Sequence, residues 1–352
     1  MKIITAGNVG IISREVKFGH LVRKRLLSFY EVTNKLFATD QSFRYITQKN
    51  KAMEKEKRVE LFLDSGAYSA WSQNEEINID DYIQFIKEHK DVIDVYANLD
   101  VIGDAEATWK NQLYMEKKGL KPLPVFHYGE DIKYLKMMLD KKYEYIGLGG
   151  MVPISTGDLI HWLDNLFKNY LCDSKGMPII KIHGFGLTSL KIMLRYPFFS
   201  VDSTSWVVTG RMGSIYIPKK KNGIWIYDED SWKICVSNRS PNKGEAGKHI
   251  DTMTPMEKKI LLEYIEEKGY KLGKSSYKWV PFEYELKDNE RFCEKKPAKP
   301  ADREVEVIEE RGVSNVYQLR DEINIIYFLD LEASMPKWPW AFKLQESQKG
   351  YF

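Results

Sequence analysis

Three successive segments decide the fold: VIDVYANLDVI (Val92–Ile102), AEATWKNQLYMEKK (Ala105–Lys118) and LPVFHY (Leu123–Tyr128). The first and third are short apolar runs that end in polar residues, whereas the middle segment has apolar residues at helical spacing. A strand, a helix and a second strand in this order predict a β–α–β unit with parallel strands.

The same alternation continues in both directions along the chain. Together with the opening IITAGNV, seven segments look like strands, and the other six are VELFLDSGAYSA, VIDVYANLDVI, LPVFHY, YIGLGGM, PIIKIHGFG and FFSVDSTSW. An eighth strand is expected from GSIYI or WKICVSN, both of which follow Arg211. Eight such units predict a TIM-type (β/α)8 barrel with an N-terminal insertion and additional C-terminal α/β elements.

The pattern of residues changes after Arg211, which suggests two parts. Residues 1–213 are expected to form the barrel with the active site, with residues 10–57 as an insertion rich in basic and aromatic side chains. Residues 214–352 are expected to complete the barrel and to add a basic hairpin and C-terminal helices. The hairpin turns at Asn222-Gly223, a pair that favours a tight turn between antiparallel strands.

Composition limits the possible classes of protein. The chain has 53 Lys and Arg against 50 Asp and Glu, so the net charge of +3 neither requires nor excludes a polyanionic partner. The three cysteines are far apart and form no Cys-x-x-Cys, so we expect neither disulfides nor a zinc knot, and no cofactor. The opening segment reads as a strand, and no run approaches the roughly 18 apolar residues of a membrane span. We therefore expect a cytoplasmic protein with no membrane partner.

Polar residues stand where the predicted strands end, which in a parallel barrel is the catalytic face. They are Asp64, Ser65, Asn98, Asp100, His127, Gly149, Gly150, His183, Asp202 and Ser203. A carboxylate that ends an apolar run is costly unless it faces a polar cavity or caps the next helix. Both readings are open for each aspartate alone, but three of them together favour one convergent pocket.

A pocket of this kind suits chemistry at a glycosidic carbon. One carboxylate can attack the anomeric carbon while a second protonates the leaving group and later deprotonates its replacement. A third can accept from the donors on the Watson–Crick edge of guanine, and glycines let a flat base approach the backbone closely.

Five motifs carry a family resemblance. FLDSGAYSAW, YANLDVI, YIGLGGM, KIHGFG and SVDSTSWVVTGRMG resemble, in this order, motifs of the tRNA-guanine transglycosylases over about residues 59–213. Within this group the chain most resembles the short, phage-type 7-deazaguanine DNA transglycosylases (the DpdA family), which insert a 7-deazaguanine into DNA.

The resemblance implies a role for each matching position. Asp202 would be the nucleophile, Asp64 the general acid and base, and Asp100 the reader of guanine. Gly149 and Gly150 would offer backbone contacts to the base, His127 stands where the tRNA enzymes have a base-contacting glutamine, and His183 where they have a stacking methionine. Ser65 and Asn98 complete the expected substrate pocket.

The chain departs from the tRNA enzymes in lacking the cysteine and histidine spacing of their structural zinc site. That subdomain helps to grip tRNA, so the resemblance favours DNA with an everted guanine and a free 7-deazaguanine base such as 7-cyano-7-deazaguanine. A tRNA substrate, a hydrolytic N-glycosidase and a non-catalytic nucleic-acid-binding module remain the alternatives.

Basic clusters are the candidate contacts to nucleic-acid phosphates. They comprise Arg23, Lys24 and Arg25 in the insertion, Arg211, and Lys219, Lys220 and Lys221 in the hairpin. The hairpin lysines stand close in sequence to Trp225 and Tyr227, a mixture that suits splayed bases. The alternative for each cluster is an ordinary solvated charge run.

Overall fold

The structure is a computed structural model that describes residues 1–7, 23–34, 39–54, 57–187, 189–240 and 247–343. These residues fall into two compact units, one of residues 1–204 with 332–352, and one of residues 205–331. In the described part of the chain no helix is both long and apolar enough to cross a membrane.

An eight-stranded parallel sheet organises the first unit. Its strands are β1 Lys2–Ala6, β2 Lys24–Ser28, β3 Glu60–Asp64, β4 Val95–Tyr96, β5 Val125–His127, β6 Tyr145–Gly149, β7 Lys181–Gly184 and β8 Ser200–Ser203. They lie in the order β4-β3-β2-β1-β8-β7-β6-β5. The sequence-based prediction of a parallel α/β sheet is thus confirmed.

The two edge strands of this sheet approach each other. Ala97, directly after β4, forms a parallel bridge with Leu123, just before β5. Leu123 N donates to Tyr96 O at 2.8 Å, and Asn98 N donates to Leu123 O at 2.9 Å. The sheet is therefore strongly curled, because strands at its opposite ends share backbone hydrogen bonds.

The prediction of which segment forms the eighth strand is wrong. GSIYI and WKICVSN contribute β9 Ser214–Ile217 and β12 Trp232–Cys235, which pair antiparallel with each other in the second unit. The eighth strand of the parallel sheet is β2, which lies in the segment assigned to the insertion and pairs with β1 and β3. Residues 10–22, 35–38, 55 and 56 of that expected insertion lie outside the described residues.

Alternation along the strands separates an inner from an outer layer. Phe62 packs in an interior cluster with Ile4 and Leu26. Leu61 and Leu63, on the opposite face of β3, pack among the helices. This two-sided burial is what parallel strands with crossover helices require.

Helices of the first unit follow the strands. They are α1 Phe29–Thr33, α2 Thr39–Ala52, α3 Ala67–Ser72, α4 Ile79–Glu88, α5 Ala105–Lys117, α6 Ile132–Asp140, α7 Thr156–Leu166 and α8 Leu190–Arg195, with a π-helical turn at Phe167–Leu171. In α4, for example, Asn78 caps the first turn and Tyr82, Ile83 and Ile86 form the buried face.

The second unit combines helices with short antiparallel sheets. Besides β9 and β12 it contains α9 Ser205–Arg211, β10 Lys219–Lys221, β11 Ile224–Ile226, a 3-10 turn at Ile250–Thr252, α10 Pro255–Glu267, β13 Lys274–Val280, β14 Glu290–Phe292, β15 Arg303–Glu310 and all but the last three residues of α11 Tyr317–Ser334. The hairpin of β10 and β11 turns at Asn222 and Gly223, both with positive φ, as the sequence predicts. The three-stranded sheet β13-β15-β14 has no counterpart in the sequence analysis.

Candidate active site

Two of the three strand-end aspartates, Asp64 and Asp100, do not cap the helices that follow them. Gly66 occupies the N-cap position of α3, without a side-chain bond, and Asp104 caps α5. Asp202 Oδ1 accepts a hydrogen bond from Gly186 N at 2.9 Å, in the loop after β7. The alternative reading as helix caps therefore fails for Asp64 and Asp100, and the recorded bond of Asp202 goes to the neighbouring loop.

Instead, Asp64 lies within electrostatic reach of Asp100 and Asp202. Burial raises the pKa of Asp64 from 3.8 to about 7, and the nearby negative charges of Asp100 and Asp202 act in the same direction. The backbone N–H groups of Gly66 and Ser65 oppose this rise only in part. At neutral pH both the protonated and the ionised form of Asp64 are therefore populated.

Asp100 forms one side of a charged clamp around His127. His127 Nε2 lies 3.1 Å from Asp100 Oδ2, and Nδ1 lies 3.0 Å from Glu130 Oε1. Burial alone would lower the pKa of His127, but the two carboxylates outweigh it and raise the pKa to about 10. His127 is therefore an imidazolium at neutral pH. Asp100 Oδ1 is buried and has no hydrogen-bond partner in the described chain.

The two glycines at the end of β6 make room for this histidine. A Cβ on Gly149 would lie 2.7 Å from His127 Cδ2. Gly150 has φ +68°, and a Cβ there would lie 3.1 Å from Tyr128 N. Their position beside His127 explains why glycine is needed, in addition to the base contacts that the resemblance implies.

His183 is buried and lies beside Asp202. Its side chain is fully buried, and its Nε2 lies 3.3 Å from Asp202 Oδ1. Nδ1 lies 2.7 Å from Ser200 Oγ, which also contacts the hydroxyl of Tyr145. The expectation that His183 offers a surface for stacking on a base is corrected accordingly, because no part of the ring is exposed.

Aromatic rings form the floor of the site. The rings of Phe62 on β3 and His183 on β7 are 4.7 Å apart, although three strands separate these two in the sheet. Phe185 packs edge-on against His183 at 4.4 Å and is itself only half-buried. Phe185 is the aromatic side chain that the sequence analysis missed, although KIHGFG contains it.

Ser65 and Asn98 have structural contacts. Both are about 1% exposed, and Ser65 Oγ accepts from Ala67 N at the start of α3. Asn98 Nδ2 donates to Thr108 O at 2.9 Å and so ties the end of β4 to α5. They hold the shape of the pocket, whereas Glu130 and Gly186, which the sequence analysis did not single out, contact its charged groups directly.

The basic clusters differ in how far they are free to bind phosphate. Arg25 is fully buried in β2, so its assignment as a phosphate contact is corrected, and Lys24 is in an ion pair with Glu332. Arg23 and Arg211 are exposed.

The hairpin lysines are all paired with glutamates. Lys219 and Lys221 contact Glu229, and Lys220 contacts Glu263 and Glu267. Their charges are therefore partly compensated within the protein, which weakens the case for the hairpin as a phosphate site.

No family model, curated protein or solved structure matches the chain. Among the described residues, no group of three or more His, Cys, Asp or Glu side chains is placed to hold a metal ion.

Proposed function

We propose that the protein is a transglycosylase that exchanges guanine in DNA for a free 7-deazaguanine base, such as 7-cyano-7-deazaguanine. The observation that carries the proposal is that three carboxylates from separate strand ends of one parallel sheet act on one another electrostatically, and that Asp64 and Asp100 do not cap the helices that follow them. The motif resemblance to the 7-deazaguanine DNA transglycosylases supplies the roles.

In the first step, an Asp202 oxygen attacks C1′ of the target deoxyguanosine. The C1′–N9 bond breaks, its electron pair goes to the guanine, and protonated Asp64 donates a proton to the leaving base. A deoxyribosyl ester of Asp202 results. The hydrogen bond from Gly186 N holds the attacking carboxylate in place, and His183 packs beside it.

In the second step, ionised Asp64 removes the N9 proton of the incoming 7-deazaguanine. The nitrogen attacks C1′, the ester bond to Asp202 breaks, and the carboxylate returns to its starting form. A pKa of about 7 suits a group that must act first as an acid and then as a base near neutral pH.

Asp100 would recognise the base. Its buried Oδ1 is an acceptor without a partner in the described chain, and it is suited to the N–H donors of the guanine edge. The His127 imidazolium fixes the other oxygen of Asp100. Reaching C1′ requires the target nucleotide to leave the base stack.

We also propose that the curled sheet is a closed (β/α)8 barrel. The bridge between Ala97 and Leu123 and its two backbone hydrogen bonds support closure between β4 and β5. Closure would place all eight strand ends around one mouth, as in TIM-type enzymes.

The test is base exchange measured directly. The purified protein is incubated with guanine-containing duplex DNA and 7-cyano-7-deazaguanine, and the digested nucleosides are identified by mass spectrometry. We expect the modified nucleoside with the wild type, none with Asp202→Asn, and normal exchange with Asp91→Asn, which alters an exposed aspartate in a turn.

Other products would contradict the proposal in distinguishable ways. Abasic sites formed without added base would indicate a hydrolase. Exchange in tRNA but not in DNA, offered side by side, would indicate the tRNA activity. DNA binding that neither Asp202→Asn nor Asp64→Asn alters, with no new nucleoside, would indicate a binding module.

A further inference from the structure

The second unit contains a cleft of about 590 Å³ whose walls carry four arginines. They are Arg211, Arg239, Arg291 and Arg320. Among the described residues that line the cleft none is a carboxylate, and the remainder are small, polar or apolar side chains. This concentration of positive charge differs from the near balance of the whole chain.

Two of the arginines are fixed by the protein. Arg320 is almost fully buried, and its Nε and Nη1 donate to the carbonyl oxygens of Gly210 and Val313, each at 2.7 Å. Arg291 donates from Nε to the buried Glu306 at 2.8 Å. Burial lowers the pKa of Arg320 to about 10, which leaves it charged at neutral pH.

The other two arginines are exposed at the mouth of the cleft. Arg239 donates through Nη2 to Cys293 O at 2.6 Å, and Arg211 ends α9. Within the described residues, Arg291 is the one arginine of the four that has an ion pair with a carboxylate. The charge of Arg320 is offset in part by the buried Asp321, whereas Arg211 and Arg239 have no ion pair among the described residues, in contrast to the lysines of the hairpin.

Apolar surface lies beside these charges. Tyr317 is 43% exposed and Met212 is 72% exposed, and both line the cleft. A free phosphate would use the guanidinium groups alone, whereas a nucleic-acid strand also presents sugars and bases that can rest on an aromatic ring and an apolar side chain.

We infer that this arginine cleft binds the phosphodiester backbone of a nucleic-acid strand. The inference rests on the proposed function and deepens it. It assigns part of the binding of the DNA substrate to the arginines of this cleft, and not to the basic hairpin. Arg211 was a candidate from the sequence, whereas Arg239, Arg291 and Arg320 were not.

The experiment measures DNA binding without free base, so that no exchange occurs. Binding of a fluorescent guanine-containing DNA duplex is followed by anisotropy over a series of salt concentrations. The variant Arg211→Gln/Arg239→Gln removes two exposed charges from the cleft, and Lys219→Gln/Lys221→Gln removes two from the hairpin as the matched control. The charge-preserving Arg211→Lys/Arg239→Lys guards against an effect on folding.

We expect the cleft glutamine variant to bind at least about tenfold more weakly, because two charge-assisted contacts are lost. The slope of log K against log salt should decrease by about two, since each phosphate contact contributes about 0.9. The lysine variant should keep most of the slope, and the hairpin variant should bind like the wild type.

Three results would overturn the inference: wild-type binding by the cleft glutamine variant, equal loss by the lysine and glutamine variants, or displacement of the DNA by polyglutamate at equal charge. The last would indicate an acidic polypeptide as the partner. Cleft-dependent binding without base exchange would refute the proposed function alone, whereas exchange with cleft-independent binding would refute the cleft alone.

Discussion

Replacing Asp64 by asparagine should make the protein more stable and at the same time inactive. The pKa of this carboxyl rises from 3.8 to about 7 in the folded state. Each pKa unit corresponds to about 1.4 kcal/mol, so ionising Asp64 costs the folded protein up to about 4 kcal/mol. Asparagine keeps the shape, can still accept the hydrogen bond from Gly66 N, and carries no charge.

The sign of the pH dependence follows from the direction of the shift. A carboxyl with a raised pKa holds its proton more tightly in the folded than in the unfolded state, so the free energy of unfolding falls between about pH 4 and pH 7. Between about pH 5 and pH 8 the wild type should therefore lose up to about 3 kcal/mol relative to Asp64→Asn.

Urea unfolding at the two pH values measures this difference. Asp91→Asn is the matched control, because Asp91 is exposed and should show the same pH dependence as the wild type. Parallel pH dependence in the wild type and Asp64→Asn would refute the reasoning, because it would mean that Asp64 does not meet the charges of Asp100 and Asp202 in a poorly solvated pocket.

Three further predictions concern the same pocket. His127 should titrate near pH 10 by NMR, and Glu130→Gln should lower the midpoint of this titration. The ion pairs of His127 should stabilise the fold fully below its ordinary pKa, and this stabilisation should be lost as the pH rises through 10. Gly149→Ala should cost about 1–3 kcal/mol in thermal unfolding and reduce exchange, because its methyl group would collide with the His127 ring, whereas Gly157→Ala in open helical surroundings should not. Asp100→Asn should raise the KM for the incoming base at least about tenfold in a steady-state exchange assay, with a smaller change in kcat, and an unchanged KM would contradict its role in base recognition.

Much of the parallel sheet could be predicted because its strands are buried on both faces. Seven of them appear in the sequence as apolar runs that end in polar residues or glycine. The eighth, KRLLS (Lys24–Ser28), was missed because two of its five residues are basic. Arg25 is nevertheless fully buried, and the pairing of β2 with β1 and β3 overrides the local composition.

The alternation of GSIYI and WKICVSN was read correctly as strand, but alternation does not reveal the partner of a strand. Both segments pair with each other in the second unit because each offers one apolar face, Ile215 and Ile217 on one and Ile234 on the other, to the core of that unit. Local patterns therefore predicted the elements but not their assignment to a sheet.

The candidate site shows the same division between local and long-range information. The polar strand ends were visible in the sequence, but the contact between Asp100 and His127 joins residues 27 positions apart at opposite edges of the sheet. Glu130 and Gly186 have ordinary sequence contexts, and only the fold places them against the charged groups.

The three aspartates have identical side chains but different contacts in the folded protein. Asp100 faces the His127 cation. Asp202 accepts a hydrogen bond from Gly186 N in the loop after β7 and lies beside His183. Among the described residues, Asp64 receives backbone N–H bonds from its own turn alone, and burial together with the charges of Asp100 and Asp202 raises its pKa. Under the proposed function the raised pKa therefore belongs to the group that must protonate the leaving base. Asp100→Asn should consequently lower the pKa of Asp64, and the alkaline limb of the pH–rate profile for guanine release should shift to lower pH, because this step needs protonated Asp64. An unshifted limb would separate Asp64 from this charge cluster.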